Sequence, residues 1–413
     1  MGRALLILSI AMFFLFGMVQ VSEWGRMKIV ADRNNAHVEQ AQALYIASSV
    51  ADMVIEDLRI NFGNRNNISL QNYLGGAGTV EVYDMDSPTI PASSSVTTLG
   101  PYQVLLMARG EYEGVLRNIE VLLSLPAFSK YAYFTNQEVM SGGSKIYFYD
   151  DDKVSGPTHT NGTFSMMGSP VFNGEVTSAN MWIDSGGAGD PIFNKGFEVL
   201  TEPIELPGAA QLNMLVDEGI NGGHQYDMDI TLQFNENGTV SVSKGIGRNA
   251  TPYETITLSS FNGVISSNQR IHMQGVIDGQ VTVHAKEDIV ITGDLKYKDD
   301  PRSTKSDDVL GIVGEKDVIV DRKAHKADGQ KDVNIEATIM ALGESFRVDG
   351  YNEREDKGTI HLLGGIVQNR RGPVGQTNGN GYAKDYNYDE RLRSIFPPFY
   401  PRASRFSIVY WNE

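Results

Sequence analysis

Three consecutive aspartates, Asp150, Asp151 and Asp152, are the residues whose types come closest to a metal site. Ca²⁺ prefers several carboxylate and carbonyl oxygens as ligands, so this run predicts a calcium site. No D-x-D-x-D-G loop surrounds the run, and a solvated turn after the aromatic segment 145–149 explains the same residues. Calcium is the one cofactor that the sequence suggests, with the solvated turn as the alternative.

The histidines and the remaining motifs do not point to catalysis. His159 lies in the turn-rich segment 156–162, where it could act as a ligand or general base, but a hydrogen bond within a tight corner is the simpler interpretation. The chain has no cysteine, which excludes disulfides and cysteine-bound metals. It also contains no G-x-S-x-G elbow and no P-loop, so we expect a protein without enzymatic activity.

Aromatic residues are concentrated in the C-terminal segment 381–413, and two interpretations are open. The segment could cap the apolar end of a stacked β domain. It could also offer an aromatic platform for a glycan or a protein partner, with Tyr400 and Trp411 as contact residues. The residues concerned are Tyr382, Tyr386, Tyr388, Phe396, Phe399, Tyr400, Phe406, Tyr410 and Trp411.

The N-terminal segment predicts a membrane-spanning helix. Residues 4–21 read ALLILSIAMFFLFGMVQV and carry no charge. At ~1.5 Å per residue they nearly span a hydrocarbon core of ~30 Å. Trp24 follows where a secretory signal would have a cleavage site, which favours an uncleaved span. More basic residues follow the span than precede it, so charge alone would place the main domain in the cytoplasm.

The helix is predicted to continue well beyond the membrane, because residues 27–62 contain no proline. An apolar stripe recurs at spacings of 3, 4, 3 and 4 and ends before Gly63. This stripe could pack on the following domain, or it could bind copies of the same helix or related helices in a filament. The stripe consists of Leu44, Ala47, Ala51, Val54 and Leu58.

The rest of the chain reads as β structure. Alternating apolar runs predict a small antiparallel sheet, and the runs VTVHAKEDIVI, LGIVGEKDVIV and IMALGESFRV repeat at about 28–29 residues. We therefore predict a mainly β fold with one long N-terminal α-helix and a β-solenoid or β-helix-like domain; an irregular solenoid or a sandwich would also fit the uneven gaps. The expected domains are 1–62 (membrane and stalk helix), 63–128 (small sheet), 129–380 (solenoid-like) and 381–413 (aromatic cap).

Several strings resemble PilX-type pilus assembly proteins. They are GRALLILSIAMFFLFGM and QALYIASSVAD near the N-terminus, followed by SGPTHTNGTFSMMGSPVFNGEVTS, GVIDGQVTVHAKEDIVITGDLKYKDDP, HLLGGIVQNRRGPVG and GYAKDYNYDERLRSIFPPFYP. The later strings resemble a largely uncharacterised domain attached to such membrane helices in bacteria. The resemblance implies a type IV pilus-like or envelope protein in the cytoplasmic membrane, with its main domain outside the cytoplasm and pilin-like or pilus-assembly partners.

The N-terminus departs from the prepilin pattern in one respect. Type IV prepilins carry a basic leader ending in glycine, and a glutamate at the fifth mature position. Here only Met1 and Gly2 precede Arg3, and the fifth residue counted from Arg3 is Ile7. This argues against processing by a prepilin peptidase and against a major pilin, and favours a membrane-retained assembly component or a truncated gene start.

Charge narrows the range of partners. The formal net charge is −16, and no basic face is apparent, so we expect no nucleic-acid binding. A membrane-anchored structural protein, with self-association through the helix, is the first hypothesis. The alternative is a membrane-tethered carbohydrate-binding or polysaccharide-degrading β-helix protein, although no acid/base carboxylate pair is identifiable. A polymer-forming protein that faces the cytoplasm is a third.

Overall fold

The computed structural model describes residues 2–60, 63–87, 89–100, 102–150, 152–181, 183–185, 187, 189–327, 329–353 and 356–413. They form two units by their internal contacts. Unit 1 comprises Met1–Leu125 and Arg405–Glu413, and unit 2 comprises Pro126–Ser404. Strands dominate both units, so the fold is mainly β with one long N-terminal helix.

The helices are α1 (Gly2–Ile60) and α2 (Ala209–Asn221). The strands before α2 are β1 (Ile68–Tyr73), β2 (Gly76–Tyr83), β3 (Gln103–Tyr112), β4 (Val115–Ser124), β5 (Tyr133–Gln137), β6 (Lys153–Val154), β7 (Thr158–Thr160), β8 (Ser165–Met166), β9 (Val171–Phe172), β10 (Val176–Ser178), β11 (Asp184–Ser185), β12 (Ile192–Phe193) and β13 (Phe197–Val199). The strands after α2 are β14 (His224–Tyr226), β15 (Ile230–Asn235), β16 (Thr239–Lys244), β17 (Thr251–Thr257), β18 (Val264–Ser267), β19 (Ile271–Ile277), β20 (Gln280–Ala285), β21 (Ile289–Tyr297), β22 (Val309–Gly314), β23 (Val318–Val320), β24 (Val333–Ala341), β25 (Phe346–Val348), β26 (Asp356–Arg370), β27 (Gly381–Asn387) and β28 (Ser407–Asn412).

Unit 1 contains one antiparallel sheet in the order β1-β2-β3-β4-β28. Glu113 and Gly114 connect β3 to β4 with φ angles of 48° and 82°. Positive φ at both central positions is the type I′ geometry that suits the twist of a two-residue hairpin. The fifth strand returns from the end of the chain and pairs Ser407 with Ser124. Unit 2 is thus inserted in sequence between β4 and β28, and the segment 381–413, predicted as one cap, is divided between the units.

The second half of α1 packs on this sheet through a close approach of backbones. A Cβ built on Gly110 of β3 would lie 2.0 Å from the carbonyl oxygen of Ala43 and 2.6 Å from the backbone nitrogen of Ala47. Only a residue without a side chain leaves room for the helix at this point. The helix residues buried against the sheet include Ala43, Ile46, Ala47, Val50, Ala51, Val54 and Leu58.

Unit 2 consists of short strands that pair in parallel in long rows. One row runs β14-β18-β20-β22-β24-β26-β5-β7-β10-β13. A second row runs β15-β19-β21-β23-β25. From β18 to β26 each strand pairs with the strand after next in the sequence, so consecutive strands alternate between rows.

The register of the long row follows the predicted sequence period. Val283, Ile312, Ile339 and Ile366 are successive register partners 27 to 29 residues apart. All four are buried in the main apolar core of unit 2. Val313, Met340 and Val367 follow the last three of these residues in their strands and point to the opposite side, as the alternation of a β-strand requires. They belong to a second apolar cluster that includes residues of α2 and Tyr400.

The chain enters the long row in its middle rather than at an end. It runs from β5 outward to β13, and it resumes after α2 at β14, at the other end of the row. From β14 it returns strand by strand to β26, where residues 366–370 pair in parallel with residues 133–137. We call this join between β26 and β5 the seam.

Replacing Gly110 with alanine tests the helix–sheet packing. The new methyl group would overlap the backbone of α1, and overpacking of this kind typically costs about 1–3 kcal/mol. We expect Gly110→Ala to lower the unfolding free energy of the detergent-solubilised chain by that amount, measured by chemical denaturation and circular dichroism. Gly63→Ala is the matched control, because no atom lies within 4 Å of a Cβ at Gly63. Equal stability of the two variants would contradict the packing argument.

Candidate functional site

The first half of α1 exposes apolar side chains around its whole circumference. A helix that is apolar on every side needs a nonaqueous environment or a protein partner. The helix is long and apolar enough to cross a membrane, and none of its most apolar stretch is buried inside the protein. Its large apolar residues, each 57–81% exposed, are Leu6, Ile7, Leu8, Ile10, Met12, Phe13, Phe14, Leu15, Phe16, Met18, Val19, Val21 and Trp24.

The residues predicted to bind a partner are instead used inside the protein. Ala47, Ala51, Val54 and Leu58 are buried in the apolar core of unit 1, and Leu44 packs against it. The stripe therefore holds α1 on its own sheet, because that sheet is the apolar surface available to it. This agrees with the interpretation in which the stripe packs on the following domain, and partner binding at the same residues stays a prediction.

The two aromatic residues predicted as contacts lie in different units. Tyr400 is 2% exposed in the apolar cluster of unit 2, where its hydroxyl lies 3.3 Å from Thr338 Oγ1. Trp411 is partly buried on β28 and packs against the core of unit 1. Tyr400 thus offers no exposed ring to a partner.

The aspartate run is already engaged in local contacts. Asp150 Oδ1 accepts a hydrogen bond from the Ser169 amide at 2.6 Å, and Asp152 pairs with Lys384 at 3.0 Å. Asp151 lies outside the described residues. In the described parts of the chain, no group of three or more histidine or acidic side chains is arranged to hold a metal ion. Calcium binding at this turn stays a prediction.

His159 is buried between neighbouring strands. Its Nδ1 lies 2.7 Å from Thr177 Oγ1 and its Nε2 lies 2.9 Å from Asn161 Oδ1. Burial lowers the pKa of His159 below its ordinary value. With both ring nitrogens occupied, the imidazole fixes a corner of unit 2.

A Ser–His–Glu arrangement also occurs, and its burial argues against catalysis. Ser266 Oγ lies 2.9 Å from His284 Nδ1, and His284 Nε2 lies 3.0 Å from Glu315 Oε1. Both Ser266 and His284 are fully buried, and Gly219 of α2 lies over the serine. A nucleophile must reach its substrate, which this serine cannot do. The hydrogen bonds link β18, β20 and the turn after β22.

Sequence reasoning missed a cavity at the seam. Its volume is about 540 Å³, and tyrosines, Phe148 and charged residues from both sides of the seam line it. Arg371 and Glu138 form an ion pair at 3.0 Å with side chains only 5% and 1% exposed. The Arg371 guanidinium lies 3.7 Å from the centre of the Phe148 ring. The Arg370-Arg371 pair and the aromatic segment 145–149 are visible in the sequence, but nothing in the sequence indicates that they meet.

Two more polar groups face the cavity. Lys384 pairs with Asp152, and burial lowers the pKa of the lysine below its ordinary value. Tyr386 also lines the cavity, and burial raises the pKa of its phenol. Its hydroxyl is buried and has no hydrogen-bond partner among the described residues. The seam thus combines paired charges, aromatic rings and a hydroxyl without a partner.

Breaking the buried ion pair should destabilise unit 2. In Glu138→Gln the Arg371 charge would stay buried without its counterion, a change that typically costs about 3–5 kcal/mol. We expect a loss of that size in chemical denaturation of the full chain, and a smaller loss in Glu138→Gln/Arg371→Met, where the charge is also removed. Glu236→Gln, at an exposed turn, is the control and should leave stability unchanged. A Glu138→Gln variant as stable as this control would show that the pair does not support the seam.

The model of a family described as a domain of unknown function, DUF4900, matches residues 95–180, which is less than half of the chain. No curated protein sequence matches this one. The chain is similar to the crystal structure of competence-associated pilin ComZ from Thermus thermophilus, with 13% sequence identity and a TM-score of 0.36. That match covers 91% of this chain and 97% of the other. A likeness at this TM-score carries no conclusion about function.

Proposed function

We propose that the chain is a membrane-anchored, non-catalytic structural or assembly subunit of a type IV pilus-like or cell-surface system. One observation carries the proposal: α1 is a single helix whose first half is apolar and exposed, and whose second half forms the core of unit 1. Such a helix would hold the antiparallel sheet directly at a membrane or a filament axis. The narrower assignment to PilX-type assembly proteins rests on the sequence resemblance.

Self-association would use α1 on surfaces other than the buried stripe. Val38, Tyr45 and Met53 are 61%, 58% and 43% exposed. Their spacings of seven and eight residues place them on one face of the helix. Together with the apolar first half, this face offers a continuous line of contact for the helix of a second copy or of a related subunit.

Unit 2 would serve as a rigid displayed domain, and we propose that it is a β-solenoid. The parallel rows and the register spacing of 27 to 29 residues support this, because in such an array each turn buries its apolar strands only against its neighbours. The absence of an accessible nucleophile–base pair among the histidine contacts described above favours a structural role over an enzymatic one.

The proposal places the main domain outside the cytoplasmic membrane. The resemblance to pilus assembly proteins supports this orientation, whereas Arg26, Lys28 and Arg33 after the span would favour the opposite one.

Charged substitutions in the apolar half of α1 test the anchor. A lysine at the centre of a membrane helix costs about 2.5–3.5 kcal/mol in insertion, and two lysines should prevent stable insertion. We expect Ile10→Lys/Phe14→Lys to move the chain from the membrane pellet to the soluble or aggregated fraction after carbonate extraction. Met53→Lys, on the exposed face of the same helix within unit 1, is the control and should remain in the membrane. Retention of the double variant in the membrane fraction would contradict the anchoring proposal.

A further inference from the structure

The seam cavity has the size and composition of a ligand site. Pockets for small ligands typically measure about 300–1,000 Å³, and this one measures about 540 Å³. The cavity lies at the seam, where the half of unit 2 that begins with β5 meets the half that ends with β26. Its walls therefore come from segments far apart in the sequence. The lining includes residues 145–149 and 152–154 from one side of the seam, and residues 371–377, 382–384 and 386–388 from the other.

Aromatic rings provide part of the apolar lining, beside aliphatic side chains such as Val154, Leu362 and Ile366. Tyr147 and Tyr149 are partly exposed, and their ring centres lie 6.4 Å apart at an angle of 69°. Tyr351 and Tyr386 contribute further rings. Partly exposed tyrosines suit ligands that have both apolar C–H faces and hydroxyl groups, because each ring offers an apolar face and a polar end. Sugars have this combination, whereas a bare phosphate has no apolar face.

The lining of the cavity carries more cations than carboxylates, whereas the protein as a whole is acidic. The chain carries a formal net charge of −16. Among the described residues that line the cavity, the cations Lys145, Lys153, Arg371 and Lys384 face one carboxylate, Asp152. Cations still outnumber carboxylates when Glu138, the partner of Arg371, is counted. A local excess of cations in an acidic protein favours an anionic ligand.

We propose that the seam cavity binds an acidic carbohydrate, of the kind in which uronic acid units carry carboxylates. The sugar rings would stack on the tyrosines, and the carboxylates would lie near the lysines. A ligand hydroxyl or carboxylate would also give the Tyr386 hydroxyl the partner that it lacks within the described structure; leaving that hydroxyl unpaired costs free energy. The proposal does not depend on the pilus-like function, since unit 2 carries every residue involved.

Isothermal titration calorimetry on the detergent-solubilised full chain tests the site with three probes. They are trigalacturonic acid, the neutral sugar maltotriose and a triglutamate peptide. We expect trigalacturonic acid to bind, and the other two to bind at least about tenfold more weakly. The affinity for trigalacturonic acid should fall as salt is raised, because the carboxylates contact cations.

Matched variants link the binding to the cavity. Lys153→Met and Tyr149→Ala should each weaken trigalacturonate binding by about fivefold or more, and Lys244→Met and Tyr253→Ala, on exposed strands away from the seam, should change it less than about twofold. All four residues are at least partly exposed, so the variants should keep the wild-type circular dichroism spectrum.

Three results would overturn the proposal: no binding of trigalacturonic acid by the folded chain, equal binding of maltotriose, or tighter binding of triglutamate, which would indicate an acidic-peptide site.

Discussion

The structure depends first on the continuity of α1. The same helix presents apolar side chains to its surroundings over its first half and to its own sheet over its second half. Its second half can pack on the sheet only because Gly110 lets the two backbones approach. A stable sheet thereby fixes the direction in which the exposed apolar segment leaves unit 1. The folding of unit 1 and its proposed anchoring therefore depend on one helix.

The second constraint is the way in which unit 2 closes on itself. Its chain begins in the middle of a row of parallel strands, extends that row to one end, and then completes it from the other end. The pairing of Ile366 with Tyr133 joins the two parts. At that join the regular stacking of apolar strands gives way to a buried Arg371–Glu138 pair and to a cavity. The cavity and the buried ion pair thus lie at the seam, where the regular order of strands in the row is interrupted.

Local signals in the sequence predicted much of the fold. The proline-free apolar segment predicted α1, and the alternating apolar runs that follow it predicted the antiparallel strands of unit 1. The spacing of repeated apolar runs predicted the register period of unit 2. Each of these features depends on residues close together in the chain, where periodicity and turn chemistry carry the information.

Nonlocal pairing explains what could not be predicted. The apolar run around Tyr410 was predicted to be part of a C-terminal cap, but it pairs with β4. All of unit 2 lies between these two strands in the sequence. The stripe through Ala47 and Ala51 had two available partners, its own sheet or another helix, and only the folded structure decides between them. The seam cavity is formed by residues from both halves of unit 2, and no sequence motif indicates that Lys384 and Asp152 lie together.

Protease accessibility on intact cells tests the central claim most directly. Cells would express the full chain with a C-terminal tag, and a sheared-filament fraction and an envelope fraction would be collected in parallel. A membrane-anchored, extracytoplasmic subunit predicts that external protease removes the tag while the helix stays with the membrane or with sheared filaments. A tag that stays protected after the outer envelope is made permeable, and is cleaved only when the cytoplasmic membrane is lysed, would place the main domain in the cytoplasm and contradict the account.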